Sequence, residues 1–104
     1  MGLMGLMVGK QADEMARNLA GELAKKFPPS VESGKQKKIS EKRITRILEG
    51  IYQEAVSYRD ERSLGVYSKA RMGNTFRWEL ESLGYSKDFV KMATEGMVVY
   101  LTRH

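Results

Sequence analysis

Apolar residues recur at three- and four-residue spacing in four separate segments of this chain, and this spacing limits the fold more than any other feature. A repeat near 3.6 residues places apolar side chains on one face of an α-helix. We therefore predict an all-α fold, a small four-helix bundle or orthogonal helical domain. The predicted helices span residues 10–27, 41–62, 69–83 and 87–101.

The last of these segments has an alternative. Residues 97–101 are rich in β-branched side chains, which favour a strand. A strand needs a partner, and the sequence contains no second strand candidate. We therefore expect a helix here.

The size of the chain indicates one domain over residues 1–104, because two domains would each lie near the lower limit for burying a core. Residues 1–9 are apolar but too short to cross a bilayer, and no basic segment precedes them as in a signal peptide. We interpret them as a frayed terminus or as a further turn of the first helix that packs on the core or on a partner. Residues 28–39 are mostly polar and begin with Pro28 and Pro29, so we predict a flexible linker.

A short sequence echo marks the two remaining joints. SLGVYSK at residues 63–69 returns as SLGYSK at residues 82–87. In each copy the glycine suits a left-handed helix end, and Ser68 or Ser86 suits the N-cap of the next helix. The tyrosine before each cap is expected to pack back onto that helix as a hydrophobic staple. Because these joints are short, we expect consecutive helices to pack side by side.

Residues that carry catalysis are scarce in this sequence. His104 is the single histidine and stands at the end of the chain, and there is no cysteine to bind a metal. Neighbouring carboxylates on a helix point in different directions, so we interpret these pairs as solvated charges. We therefore predict no enzyme activity, no cofactor and no metal site. The carboxylate pairs are Asp13/Glu14, Asp60/Glu61 and Glu79/Glu81.

The net charge of +5 comes from one short stretch. Six basic residues and Glu41 sum to +5 there, so the charges of the rest of the chain cancel. A charge run in a linker is commonly a solvated segment, but such an arm also suits the phosphates of nucleic acid. An anionic membrane is a weaker alternative, because the core should consume the apolar side of the helix at 41–62. The basic residues are Lys35, Lys37, Lys38, Lys42, Arg43 and Arg46.

One side of the predicted helix at 69–83 carries residues typical of protein interfaces. Arg71, Asn74 and Trp78 are spaced i, i+3 and i+7, which places them in one stripe opposite the apolar face. Trp and Arg are enriched where partners dock. The alternative is ordinary burial of Trp78 against a neighbouring helix. We predict these three residues as the partner-binding site.

Taken together, these features predict a non-enzymatic protein-interaction module, with self-association as a homodimer as one form of it. The alternative is a nucleic-acid-associated accessory or regulatory protein that uses the basic arm at 35–46. The absence of cysteine suits a reducing compartment, so we expect the cytoplasm.

Overall fold

The all-α prediction is confirmed. The computed structural model describes the backbone of residues 3–34 and 38–103, and the side chains of residues 9–34 and 38–103. Within these residues the chain forms five helices and no strand, and residues 97–101 are helical. The helices are α1 (Leu3–Lys26), α2 (Pro29–Glu32), α3 (Glu41–Arg62), α4 (Val66–Leu83) and α5 (Lys87–Arg103).

The four long helices form a bundle in which their order around the axis is α1, α3, α5, α4. The helices α1 and α4 run parallel. Asp13 of α1 bonds to Arg71 of α4, and the later residue Arg17 of α1 pairs with the later residue Glu79 of α4. The α3 and α5 helices are parallel by the same test, since Tyr52 and Arg59 bond to progressively later carbonyls of α5. The α1–α3 and α4–α5 pairs are antiparallel.

This order corrects the expectation that consecutive helices pack side by side. It holds for α4 and α5, whereas α3 and α4 lie diagonally across the bundle despite their short joint. The reason is the alanine-rich face that α1 offers to α4. Ala12, Ala16 and Ala20 are fully buried, and these small side chains let the larger core residues of α4 approach closely.

The apolar faces of the predicted helices form the core, with exceptions on α4 and α5. Leu19, Leu23, Ile51, Phe76 and Met97 are almost fully buried. Four other apolar side chains of these two helices are instead 41–48% exposed. The apolar surface of α5 is therefore wider than the bundle covers. The exposed side chains are Leu83, Met92, Val98 and Val99.

The predictions made from the sequence echo are correct for its second copy and wrong for its first. Gly84 ends α4 in the left-handed region at φ 101°, and the Oγ of Ser86 accepts a bond from the amide of Phe89, both as predicted. The first copy behaves differently. Ser63 itself adopts φ 52° and ends α3, so α4 begins three residues earlier than predicted. Ser68 is consequently buried inside α4 rather than capping it.

Tyr67 also departs from its predicted role as a staple. It lies within α4, where its side chain is 50% exposed. The staple required Tyr67 to precede the helix. The earlier start of α4 removes that geometry.

The predicted linker at 28–39 is wrong for residues 28–34. Pro29 occupies the first turn of α2, where its fixed φ is favourable. Glu32 then accepts bonds from the amide of Ser86 at 2.7 Å and from its Oγ at 3.1 Å. Glu32 thereby stabilises the start of α5, and Val31 packs against the core. These contacts order a segment whose composition suggested none.

The first helix begins before residue 10, where the sequence predicted its start. The helix α1 extends back to Leu3, so residues 3–9 continue the first helix. The side chains of residues 1–8 lie outside the described residues.

Candidate functional site

Arg71 lies in the most developed polar contact between two helices. Its Nε donates to Oδ1 of Asp13 at 3.0 Å, and its Nη2 donates to Oδ2 at 2.9 Å. Thr75 adds a bond from its hydroxyl to Asp13 at 2.6 Å. The bonds from Arg71 hold the pKa of the Asp13 carboxyl below its ordinary value, and the same bonds raise the pKa of Arg71.

This contact changes the interpretation of both residues. The Asp13 side chain is only 13% exposed, so Asp13 is a bonded interhelical group rather than the solvated charge expected from the sequence. The Arg71 fork is occupied by Asp13, and its Nη1 donates to the Tyr67 hydroxyl at 2.9 Å. Gly9 makes room for this arrangement, since a Cβ there would lie 3.3 Å from the Arg71 guanidinium. Arg71 therefore joins α4 to α1.

The other two predicted partner-binding residues are on the surface. Asn74 is exposed, and Trp78 is 61% exposed on the outer face of α4. The alternative of ordinary burial for Trp78 is therefore wrong. The structure brings Arg71 and Asn74 to the same shallow depression beside Asp13, with Trp78 one turn further along α4.

Exposure of large apolar side chains is confined to one half of the bundle. Among the described side chains, all seven that are both large and exposed belong to α4 or α5. The described parts of α1 and α3 present charged and polar groups to solvent instead. The seven residues are Val66, Tyr67, Trp78, Leu83, Met92, Val98 and Val99.

The basic arm becomes a basic groove in the structure. Lys42, Arg43 and Arg46 line a surface groove of about 600 Å³ together with Lys26, which comes from the end of α1. Lys38 is also exposed. Lys35 and Lys37, the remaining predicted residues, lie outside the described residues. The sequence did not indicate Lys26, because it precedes the arm and joins it only when α1 packs against α3.

A second groove, between α3 and α5, was also missed. Its volume is about 810 Å³, and Leu48, Tyr52 and Phe89 lie in its floor while Glu41 and Glu49 stand at its edge. Apolar floors with a few charged groups are typical of ligand grooves, and this one suits an amphipathic group that carries positive charge. The signal could not be read from sequence, because it depends on α3 and α5 being neighbours.

Two carboxylates from different helices meet beside the basic groove. Glu54 on α3 faces Glu22 on α1, and the hydrogen bond between them raises the pKa of Glu54. Lys26 pairs with Glu22 at 3.4 Å. Glu22 and Glu54 are 32 positions apart along the chain, so sequence spacing gave no indication that they form a pair.

The other flagged carboxylates do not converge on one site. Asp60 pairs with Arg59, whereas Glu79 pairs with Arg17 and Glu81 with Arg77. Among the described residues, no group of three or more His, Cys, Asp or Glu side chains is placed to hold a metal ion. His104, the candidate for acid–base chemistry, lies outside the described residues. None of the described helices combines the length and hydropathy needed to cross a membrane.

Comparison with protein-family models, curated proteins and solved structures finds no match to this chain. The class of protein is therefore defined by its own fold. It is a small all-α four-helix bundle with a one-turn helix between the first two long helices.

Proposed function

We propose that this chain is a non-enzymatic protein-interaction module and that its partner is a second copy of the chain. The observation that carries the proposal is the exposure of Trp78, the single tryptophan, on the outer face of α4. Tryptophan buries a large area when it docks, and it is enriched among the residues that contribute most at interfaces. The core of the bundle is complete without it.

The surroundings of Trp78 support a second copy as the partner. Among the described side chains, the large exposed apolar ones all lie on α4 and α5. Each of these two helices also carries three basic and two acidic residues. Two copies that meet through this side of the bundle therefore bring together charges of both signs, with little net repulsion.

Within this proposal the three predicted residues have different roles. Trp78 is the anchor, and Asn74 supplies polar contacts one turn away. Arg71 holds α4 against α1 through Asp13 and so keeps the surface rigid. We place the module in the cytoplasm, a compartment that suits a chain without cysteine.

Sedimentation equilibrium of the whole chain tests the proposal. We expect a monomer–dimer equilibrium whose Kd rises at least about tenfold in Trp78→Ala, since truncating an interface anchor costs about 2 kcal/mol. Trp78→Phe should keep most of the affinity, and Gln53→Ala, an exposed site on α3, should leave it unchanged. Circular dichroism shows whether each variant keeps its helices.

Two results would overturn the proposal. One is a wild-type chain that stays monomeric at every concentration measured. The other is a folded Trp78→Ala variant that dimerises as tightly as the wild type.

A further inference from the structure

The basic groove between the end of α1 and the start of α3 concentrates positive charge that the fold does not use. Lys42, Arg43 and Arg46 are exposed, and the Lys26 side chain is 53% exposed. Within the described part of the chain, the one ion pair of these four residues is the contact of Lys26 with Glu22 at 3.4 Å. Four cationic side chains from two helices therefore line one groove.

The position of two of these charges is unfavourable for α3 itself. A helix has a partial positive charge at its N-terminus, so cations are destabilising there and anions stabilising. Lys42 and Arg43 nevertheless lie in the first turn of α3, directly after the N-cap Ser40, and Arg46 lies one turn later. The acidic residues near these cations are Glu41 in the same turn, Glu49 three residues after Arg46, and Glu22, which pairs with Lys26. An external anion in the groove would relieve this repulsion.

The spacing of the charges favours a ligand with several phosphates over a single ion. Lys42 and Arg46 are four residues apart on one helix, which places their Cβ atoms about 5–6 Å apart. Lys26 extends the row of charges onto α1. Such a row can contact successive phosphates of a chain.

The surroundings of the groove favour nucleic acid over a membrane. Binding at a bilayer surface requires apolar side chains beside the basic ones. The large exposed apolar side chains of the described residues belong to α4 and α5, whereas the groove is formed by α1 and α3. Ile47 is the one large apolar residue among those that line the groove, and it is partly buried against the core.

We infer that the groove lined by Lys26, Lys42, Arg43 and Arg46 binds the phosphate backbone of a nucleic acid, independently of base sequence. The cations displace counterions from the phosphates, so the affinity depends steeply on salt. This inference does not depend on the proposed dimer, since the groove and Trp78 lie on different helices.

Fluorescence anisotropy with a labelled duplex of about 20 base pairs and mixed sequence tests the inference. With four phosphate contacts, we expect log K to fall with log salt at a slope of about −3.6, which is about a 100-fold loss between 50 and 200 mM salt. The double variant Lys42→Gln/Arg46→Gln removes two contacts. Its slope should be about −1.8, and its affinity at low salt should fall at least about tenfold.

The matched control is Lys87→Gln/Lys91→Gln, which removes the same charge at the same spacing from exposed positions on α5. It should keep the wild-type slope. Thermal unfolding should show the groove variant to be at least as stable as the wild type, because it removes cations from the N-terminal end of α3. A loss of binding is then a loss of contacts rather than of fold.

Three results would overturn the inference. The first is no binding to the duplex at low salt. The second is an unchanged slope in the groove variant. The third is binding to phosphatidylserine vesicles without binding to the duplex, which would indicate a membrane surface instead.

Discussion

Two tyrosine hydroxyls join helices that are distant in sequence. Tyr52 on α3 donates to the carbonyl of Ala93 on α5 at 2.7 Å, and its ring lies against Gly96, where a Cβ would collide with it. Tyr85 donates to the carbonyl of Phe27. Burial raises the pKa of both hydroxyls, that of Tyr85 to about 12. The apolar spacing predicted that Tyr52 is buried, but its bonding partner depends on which helices are neighbours.

We predict that Tyr52→Phe lowers the free energy of unfolding by about 1 kcal/mol, because it removes a buried hydrogen bond and keeps the ring. Urea denaturation followed by circular dichroism measures the change. Tyr58→Phe on the same helix is the control, since Tyr58 is only partly buried and its ring packs against Arg62. Equal losses in the two variants would show that the bond to Ala93 contributes little.

The parallel contact of α1 with α4 combines small side chains with two ion pairs, Asp13–Arg71 and Arg17–Glu79. Buried alanines on α1 permit the close approach, and Asp13 bonds to Arg71 and Thr75 at the edge of the contact. The sequence predicted the faces and most bounds of these helices, because periodicity and caps are local. It did not predict their parallel pairing, which is set by packing across the whole bundle.

The Asp13 contact makes stability depend on pH. The pKa of Asp13 is lowered from its ordinary value of 3.8, so its contribution is fully present above that value and is lost as the pH falls through the lowered pKa. We predict that Asp13→Asn lowers the melting temperature by about 5 °C at pH 7 and much less in strong acid. Glu14→Gln, an exposed neighbour, should show no such pH dependence. A difference in melting temperature between wild type and Asp13→Asn that is the same at both pH values would contradict this account.

The α1–α3 contact should make stability depend on pH in the opposite direction. The pKa of Glu54 is raised by its hydrogen bond to Glu22, so the favourable pairing exists below the ordinary pKa and is lost as the pH rises through the raised one. Above the raised pKa, ionised Glu54 lies beside the Glu22 carboxylate, and the coulombic interaction between them is unfavourable. We predict that Glu54→Gln raises the free energy of unfolding at pH 7 by about 0.5 kcal/mol. If urea denaturation at pH 7 shows a lower free energy of unfolding for Glu54→Gln than for the wild type, the predicted repulsion is contradicted.

Considered as a whole, the bundle separates its surfaces by chemistry. Basic residues line the groove between α1 and α3, whereas large exposed apolar residues lie on α4 and α5. The sequence located the positive charge because it is nearly contiguous, and it placed Trp78 opposite the apolar face. The sequence did not indicate that Lys26 joins the groove or that Asp13 accepts the hydrogen bonds of the Arg71 guanidinium. Those contacts depend on the order of the helices around the bundle axis.

The emission of Trp78 tests the proposed dimer most directly, because it is the single tryptophan and reports only its own surroundings. Emission and acrylamide quenching are measured from about 0.1 to about 100 µM protein. We predict red-shifted, easily quenched emission at low concentration that shifts to the blue and becomes protected as the dimer forms. Emission that stays red-shifted and easily quenched while sedimentation shows a dimer would contradict a role for Trp78 in the interface.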